Sequence, residues 1–277
     1  MNIKKAFKKL TTYHHFFVFL IILTLIKIAN VFITSGFEKG IYFAGLGVGL
    51  IVISTVLHLL FSKLFDKNKS YLNSIISTLL IVLMLSHADP EPIRGVLVIL
   101  LLYVAKFFVK YKKQNIFNPV VFTIGIITLL ALFVPFLGIP PMDFTGIDIR
   151  FPIMGYQVPL TLLPITLALV INVNRIRKYP LAFSYIISSL LLGFVIGSYE
   201  NDIFSYLIII MFVGAAVIIE PKTSPLKQKH QIIYGVCVAV LISGLSIISV
   251  PNSIIIGLLI SNLAYFIYVQ KINKIKK

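Results

Sequence analysis

The sequence predicts an all-α polytopic membrane protein of ten transmembrane helices, arranged as two five-helix inverted repeats. Three observations predict it: an unusually apolar composition, basic residues that gather on every second connection, and matching breaks in the two halves. Of the 277 residues, 58% are hydrophobic and only 12% charged, with a mean hydropathy of +1.00. A soluble domain carries about a quarter charged residues, and a run of about 20 apolar residues suffices to cross a ~30 Å hydrocarbon core. The gaps between runs are too short for a soluble domain, so residues 1–277 are read as a single integral membrane domain.

Spans are predicted at about 16–34, 41–62, 71–87, 93–109, 119–137, 159–173, 181–198, 203–219, 231–249 and 252–270. The basic start (Lys4, Lys5, Lys8, Lys9) precedes an apolar run too long for a signal peptide, with no small-residue cleavage site, so the first span is expected to be retained. The sixth span is short and contains Pro159 and Pro164. Lys27 is the one charge well inside a span. It either snorkels to the outer surface or faces the bundle interior.

Basic residues test the count independently. Lys63, Lys67 and Lys69, then Lys106, Lys110, Lys112 and Lys113, then Arg175, Arg177 and Lys178 fall on the N-terminal side. Lys222, Lys227 and Lys229 follow, and Lys271, Lys274, Lys276 and Lys277 close the chain. The opposite side holds Lys39, Arg94 and Arg150, with most of the acids: Glu38, Asp89, Glu91, Asp143, Asp148, Glu200 and Asp202. Such separation is the positive-inside rule at work, and removing any one span would scramble it. Both termini are therefore expected to be cytoplasmic. The formal net charge of +16 is a topology signal and a lipid-headgroup contact, not a nucleic-acid footprint.

Splitting the chain near residue 145 gives repeat 1 at about 16–137, an outer loop at 138–158, and repeat 2 at about 159–270. After the third span of each half comes an acid–proline break: Asp89-Pro90-Glu91-Pro92 in one, Glu220-Pro221-Lys222-Thr223-Ser224-Pro225 in the other. The next connections carry Asn118-Pro119 and Pro251-Asn252. Five spans per half is an odd number, so the halves would be inverted in the membrane. Gly45 and Gly49, with Gly193 and Gly197, read as close helix contacts.

Familiar catalytic constellations are absent: no phosphate-binding loop, no dinucleotide fingerprint, no paired metal-binding histidines. Cys237 is the only cysteine, which excludes an intrachain disulfide or a cysteine cluster, and no metal site is expected. His58 and His87 belong to opposite ends of their spans, on the order of 25 Å apart in depth, too far to share a haem. His14, His15 and His230 sit in basic inner segments. Asn118-Pro119 reads as a helix start, proline in the first turn and asparagine as cap. Glu220-Pro221 reads as a helix end, with Thr223 or Ser224 capping the next helix. The alternative for both is broken backbone that offers polar groups to a ligand in a protein-lined cavity.

The segment Lys112-Lys113-Gln114-Asn115-Ile116-Phe117-Asn118-Pro119-Val120-Val121-Phe122 resembles the basic loop and Phe-Asn-Pro helix start of a known family. Glu220-Pro221-Lys222-Thr223-Ser224-Pro225, running on to Ile233-Tyr234-Gly235, resembles its acid-Pro-x-Thr/Ser-x-Pro turn and following helix. That is the NqrB/RnfD family, whose members serve the sodium-pumping NADH:quinone reductase (Nqr) and the Rnf electron-transport complex; this chain resembles a short variant. The resemblance implies two inverted five-helix repeats and a flavin-bearing membrane protein that moves electrons across a bacterial inner membrane, in some relatives coupled to sodium. Its partners would be other membrane, flavin or iron–sulfur subunits of the complex. Relatives carry FMN esterified to a threonine in a Ser-Gly-Ala-Thr-like motif between the fifth and sixth spans. Residues 138–148 lack that motif, and Thr145 alone precedes a glycine, so covalent FMN is not expected. The expected cofactor is a non-covalent flavin, riboflavin or FMN, lined by Asn118, Pro119, Glu220, Pro221, Thr223 and Ser224. Two rivals keep the same scaffold: a cofactor-free transporter or channel for a small solute, and a scaffold that only assembles partners.

Overall fold

Long apolar runs leave backbone amides with no partners but each other, and a helix satisfies them all within one segment. The computed structural model describes residues 11–65, 70–85, 92–111, 114–134, 149–153, 156–197, 203–220 and 223–275. Ten α-helices lie among them: α1 (Thr12–Ser35), α2 (Phe37–Leu64), α3 (Tyr71–Met84), α4 (Pro92–Phe108) and α5 (Pro119–Phe133), then α6 (Leu162–Ile176), α7 (Tyr179–Ile196), α8 (Ile203–Phe212), α9 (Gln228–Ile247) and α10 (Ser253–Ile275). Each predicted apolar run falls on one of them. Helices α1, α2, α7, α9 and α10 are long and apolar enough to cross a membrane. The others are shorter, α4 reaching 17 residues. Leu25, Ile33, Val48 and Val195 are among the large side chains left exposed on the long helices, as expected of a membrane-embedded chain that meets lipid.

Three expectations are corrected. The sixth run does not start at Pro159, which ends a strand; α6 begins at Leu162, with Pro164 in its first turn, where its missing N–H costs nothing. The outer loop is partly ordered as an antiparallel hairpin, β3 (Arg150–Ile153) with β4 (Tyr156–Pro159). A second short hairpin, β1 (Lys110–Tyr111) with β2 (Gln114–Asn115), occupies the basic connection before α5. Finally, Gly45 and Gly49 face open space rather than a helix neighbour. Gly193 does pack against the Tyr206 ring, while Gly197 caps α7 at φ 75, a left-handed position that suits glycine.

Two compact units make up the chain. The first comprises Met1–Leu100 and Asp143–Ile176, and in it α1 packs against α2, α3 and α6. Its core includes Leu20, Leu23, Val31, Phe43, Leu50 and Ile81. Polar side chains inside it pair between helices: Ser74 Oγ lies 2.9 Å from His58 Nδ1, and Thr78 Oγ1 donates to Ser54 Oγ at 2.6 Å. His58 is thus a helix-contact residue. Lys27 settles the choice left open for it by facing the interior. It is 2% exposed, and its ammonium donates to the carbonyls of Leu83 (2.8 Å) and Leu85 (2.6 Å) at the end of α3. The Phe43 ring lies 5.5 Å away.

The second unit comprises Leu101–Met142 and Arg177–Lys277. Its most extensive contact is α7 with α9, then α9 with α10 and α10 with α5. Tyr234 on α9 donates to Asn262 on α10 at 2.7 Å, both buried. Asn252, at the start of α10, donates to Thr128 on α5 at 2.8 Å.

Candidate functional site

The helix that leads to Glu220 is irregular. Val213–Val217 continue α8 as a π-helical turn, with Ile218 N–H reaching back to Val213 O at 3.0 Å. Wider turns of this kind shift the helical register, and they concentrate at functional positions. Residues Val213 to Ile219 are all buried. A carbonyl exposed by such a turn in an apolar core must find a donor. For Val217 that donor is Asn118, whose Nδ2 reaches the carbonyl at 3.2 Å.

Asn118 also caps α5. Its Oδ1 accepts from Val120 N–H at 3.0 Å and from Val121 N–H at 3.5 Å, with Pro119 at the first helical position. One buried amide thereby joins a helix start to a helix end 99 residues away. The plain cap read from the sequence is present, and it has this second job.

Beyond Ile219 the chain turns. The Glu220 carbonyl accepts from Thr223 N–H (3.3 Å) and from Ser224 Oγ (2.7 Å), and its carboxylate accepts from Thr223 Oγ1 (3.3 Å). Thr223 and Ser224 therefore do not cap the next helix, contrary to expectation. The cap position of α9 is Lys227, which makes no side-chain cap. The hydroxyls instead close the turn onto Glu220.

The residue that sequence reasoning missed is Lys178, counted there only as one more inner-side charge. It precedes α7, outside the span, and is 1% exposed. Arg177 before it sits at φ 59, a left-handed conformation uncommon for a residue with a side chain. Lys178 Nζ donates to Ser224 O (3.2 Å), Ser224 Oγ (3.0 Å) and Pro225 O. Gln231 on α9 braces the same turn, its Nε2 donating to Leu226 O at 2.9 Å and Arg177 O at 3.4 Å. Neither lysine nor glutamine carries a local signature that separates such a role from an ordinary surface position.

Of the other predicted site residues, Asn118, Pro119, Thr223 and Ser224 are buried and Glu220 is half-buried. Tyr234 on α9 lies within electrostatic reach of the Glu220 carboxylate. Pro221 lies outside the described residues, as do Asp89, Pro90 and Thr145. Among the described residues no cluster of three or more His, Cys, Asp or Glu could hold a metal ion.

Compared with known proteins, the chain matches no family model and no curated sequence.

Burial lowers the Lys178 ammonium from 10.5 to about 8, because desolvation disfavours the charged form. Below pH 8 the amine is protonated in both folded and unfolded chains, and its burial penalty stands in full. Between about 8 and 10.5 the folded chain binds fewer protons than the unfolded one, so stability rises with pH across that window. The unfolding midpoint of the wild type should accordingly climb relative to that of Lys178→Met between pH 8 and 10. A difference that stays flat with pH would remove Lys178 as a titrating group.

Proposed function

We propose that the chain is a multi-pass subunit of a bacterial inner membrane, built on ten spans as two inverted repeats with both termini cytoplasmic. In this reading it forms the membrane core of a flavin-dependent electron-transfer assembly of the Nqr/Rnf type. One observation carries it: the hydrogen bond from Asn118 Nδ2 to Val217 O. It links the Phe-Asn-Pro helix start to the helix that ends in the acid–proline turn, the two stretches on which the family resemblance rests. The resemblance therefore concerns one buried place in the second unit rather than two unrelated loops.

The turn fits a flavin in part. The Asn118 amide and the Ser224 hydroxyl are already engaged within the protein. The groups that would hold a flavin there are the half-buried Glu220 carboxylate and the Thr223 hydroxyl, joined at 3.3 Å. When bound, a flavin supplies one- and two-electron redox chemistry. The protein's part would be to position it and exclude water.

That same engagement favours the second reading, a cofactor-free transporter or channel for a small solute. The absorption spectrum of the purified protein in mild detergent, before and after acid precipitation, separates the two. The expected result is a flavin band released into the supernatant by acid. A band retained in the pellet would mean a covalent attachment elsewhere in the chain. No flavin after growth with ample riboflavin would overturn the redox reading in favour of transport.

A further inference from the structure

A buried ammonium normally sits against a carboxylate or other anion. Lys178 does not: its hydrogen-bond partners among the described residues are two main-chain carbonyls and a hydroxyl. Three neutral oxygens on one small cation are the first part of a coordination shell. Gln231 supplies a further oxygen. Its Nε2 is fixed by donating to Leu226 O and Arg177 O, the two carbonyls next in sequence to Pro225 and Lys178. Flipping the amide would set oxygen against oxygen, so its orientation is decided. Its Oε1 is thereby left buried and without a hydrogen-bond partner, in a side chain 1% exposed.

We propose that the oxygens gathered at this turn form a binding site for a small monovalent cation, and that the Lys178 ammonium is its built-in occupant. Hard monovalent ions are bound by shells of neutral carbonyl and hydroxyl oxygens that replace their water. A primary ammonium of similar charge and size satisfies the same oxygens when tethered. Occupancy by the lysine and by a free ion are then mutually exclusive. Lys178 releases one proton as one monovalent ion enters, so the exchange is electroneutral. Depressed basicity of the amine by burial brings the neutral form within reach of mildly alkaline pH.

The titratable and charged groups around the turn set the window. Glu220 is the acid of the turn itself, and its charge favours a cation of either kind. Arg177 and Tyr179 flank Lys178 on its own segment, and Lys227, Lys229, His230 and Tyr234 belong to α9 and its start. The added positive charge of Arg177, Lys227 and Lys229 weakens occupancy, which places the expected affinity in the millimolar range rather than tighter. The first unit repeats the arrangement by itself, with the buried Lys27 ammonium donating to the Leu83 and Leu85 carbonyls past the end of α3. A cation on helix-end carbonyls thus occurs once in each unit. The inference stands apart from the flavin reading and does not require it.

The test is thermal unfolding of the full chain in detergent, titrated with methylammonium, ammonium, sodium and potassium chlorides, with choline chloride holding ionic strength constant. In Lys178→Ala the site loses its tethered occupant, and one or more of the small cations should raise the midpoint by about 4 °C or more. Choline, too large for the site, should not. In the wild type the small cations should act at pH 9.5, where Lys178 is neutral, and not at pH 6.5. The wild-type arm decides if Lys178→Ala fails to fold. Gln231→Leu should weaken the response at least threefold in apparent affinity. The proposal is overturned if no small cation differs from choline in either the variant or the wild type at pH 9.5. It is equally overturned if the wild-type response is the same at both pH values.

Discussion

Asn118→Ala should destabilise the protein by about 2–4 kcal/mol. Loss of an asparagine cap costs about 1 kcal/mol, and a buried carbonyl left without its donor costs about 1–3. Both losses occur here, because the side chain serves Val120 and Val121 N–H with one end and Val217 O with the other. Asn118→Ser separates them: a serine still caps α5 but is too short to reach the π-helical turn. Asn118→Asp keeps the cap acceptor while setting a buried carboxylate against the Val217 carbonyl, and should be the worst of the three. Unfolding midpoints in detergent would rank them wild type, Ser, Ala, Asp. If Ser equals wild type, the contact with Val217 contributes nothing and the link between the two stretches is incidental. A flavin, if present, should be lost in Asp and Ala before Ser.

The same side chain shows where sequence reasoning stops. An asparagine before a proline at the start of an apolar run reads directly as a cap, because both preferences are local and chemical. Its bond to Val217 is not legible, since nothing in either stretch names the other. Helix positions were legible for a similar reason: an apolar run in lipid-like surroundings has one good way to satisfy its backbone. The hairpin at Lys110–Asn115 was not, its strands being two residues each and too short for any period. Thr223 and Ser224 misled because hydroxyls just upstream of a helix are common caps, whereas here the Glu220 carbonyl and carboxylate compete for them successfully. Lys178 was hidden by its neighbours. In a cluster with Arg175 and Arg177 it carries the same topological meaning, and only the left-handed Arg177 backbone and the packing of the turn bury it. Lys27 was the easier case, being a lone charge in an apolar run, whose burial then had only two outcomes.

Gly235→Ala should be the most damaging single change in α9. A methyl group there would stand 2.8 Å from Leu181 O and 3.0 Å from Tyr185 N, and would also strike Ser184 Oγ. Two of these obstacles are main chain of α7, so a rotamer change cannot clear them, and the helices must separate. Overpacking of this kind costs about 1–3 kcal/mol, and the rigid neighbours argue for the upper end. Ser184→Ala should therefore restore only part of the loss. Complete rescue by Ser184→Ala would show that the hydroxyl, not the backbone, sets the spacing. The effect should also travel. Gln231 lies one turn earlier on the same face of α9, so moving α9 from α7 pulls its amide from Arg177 O and loosens the turn around Lys178. With less burial, the lysine should titrate closer to its ordinary 10.5 than to 8. The rise of stability with pH above 8 should then flatten in Gly235→Ala as it does in Lys178→Met. A destabilised Gly235→Ala that keeps the full wild-type pH slope would mean that the helix contact and the lysine site are independent.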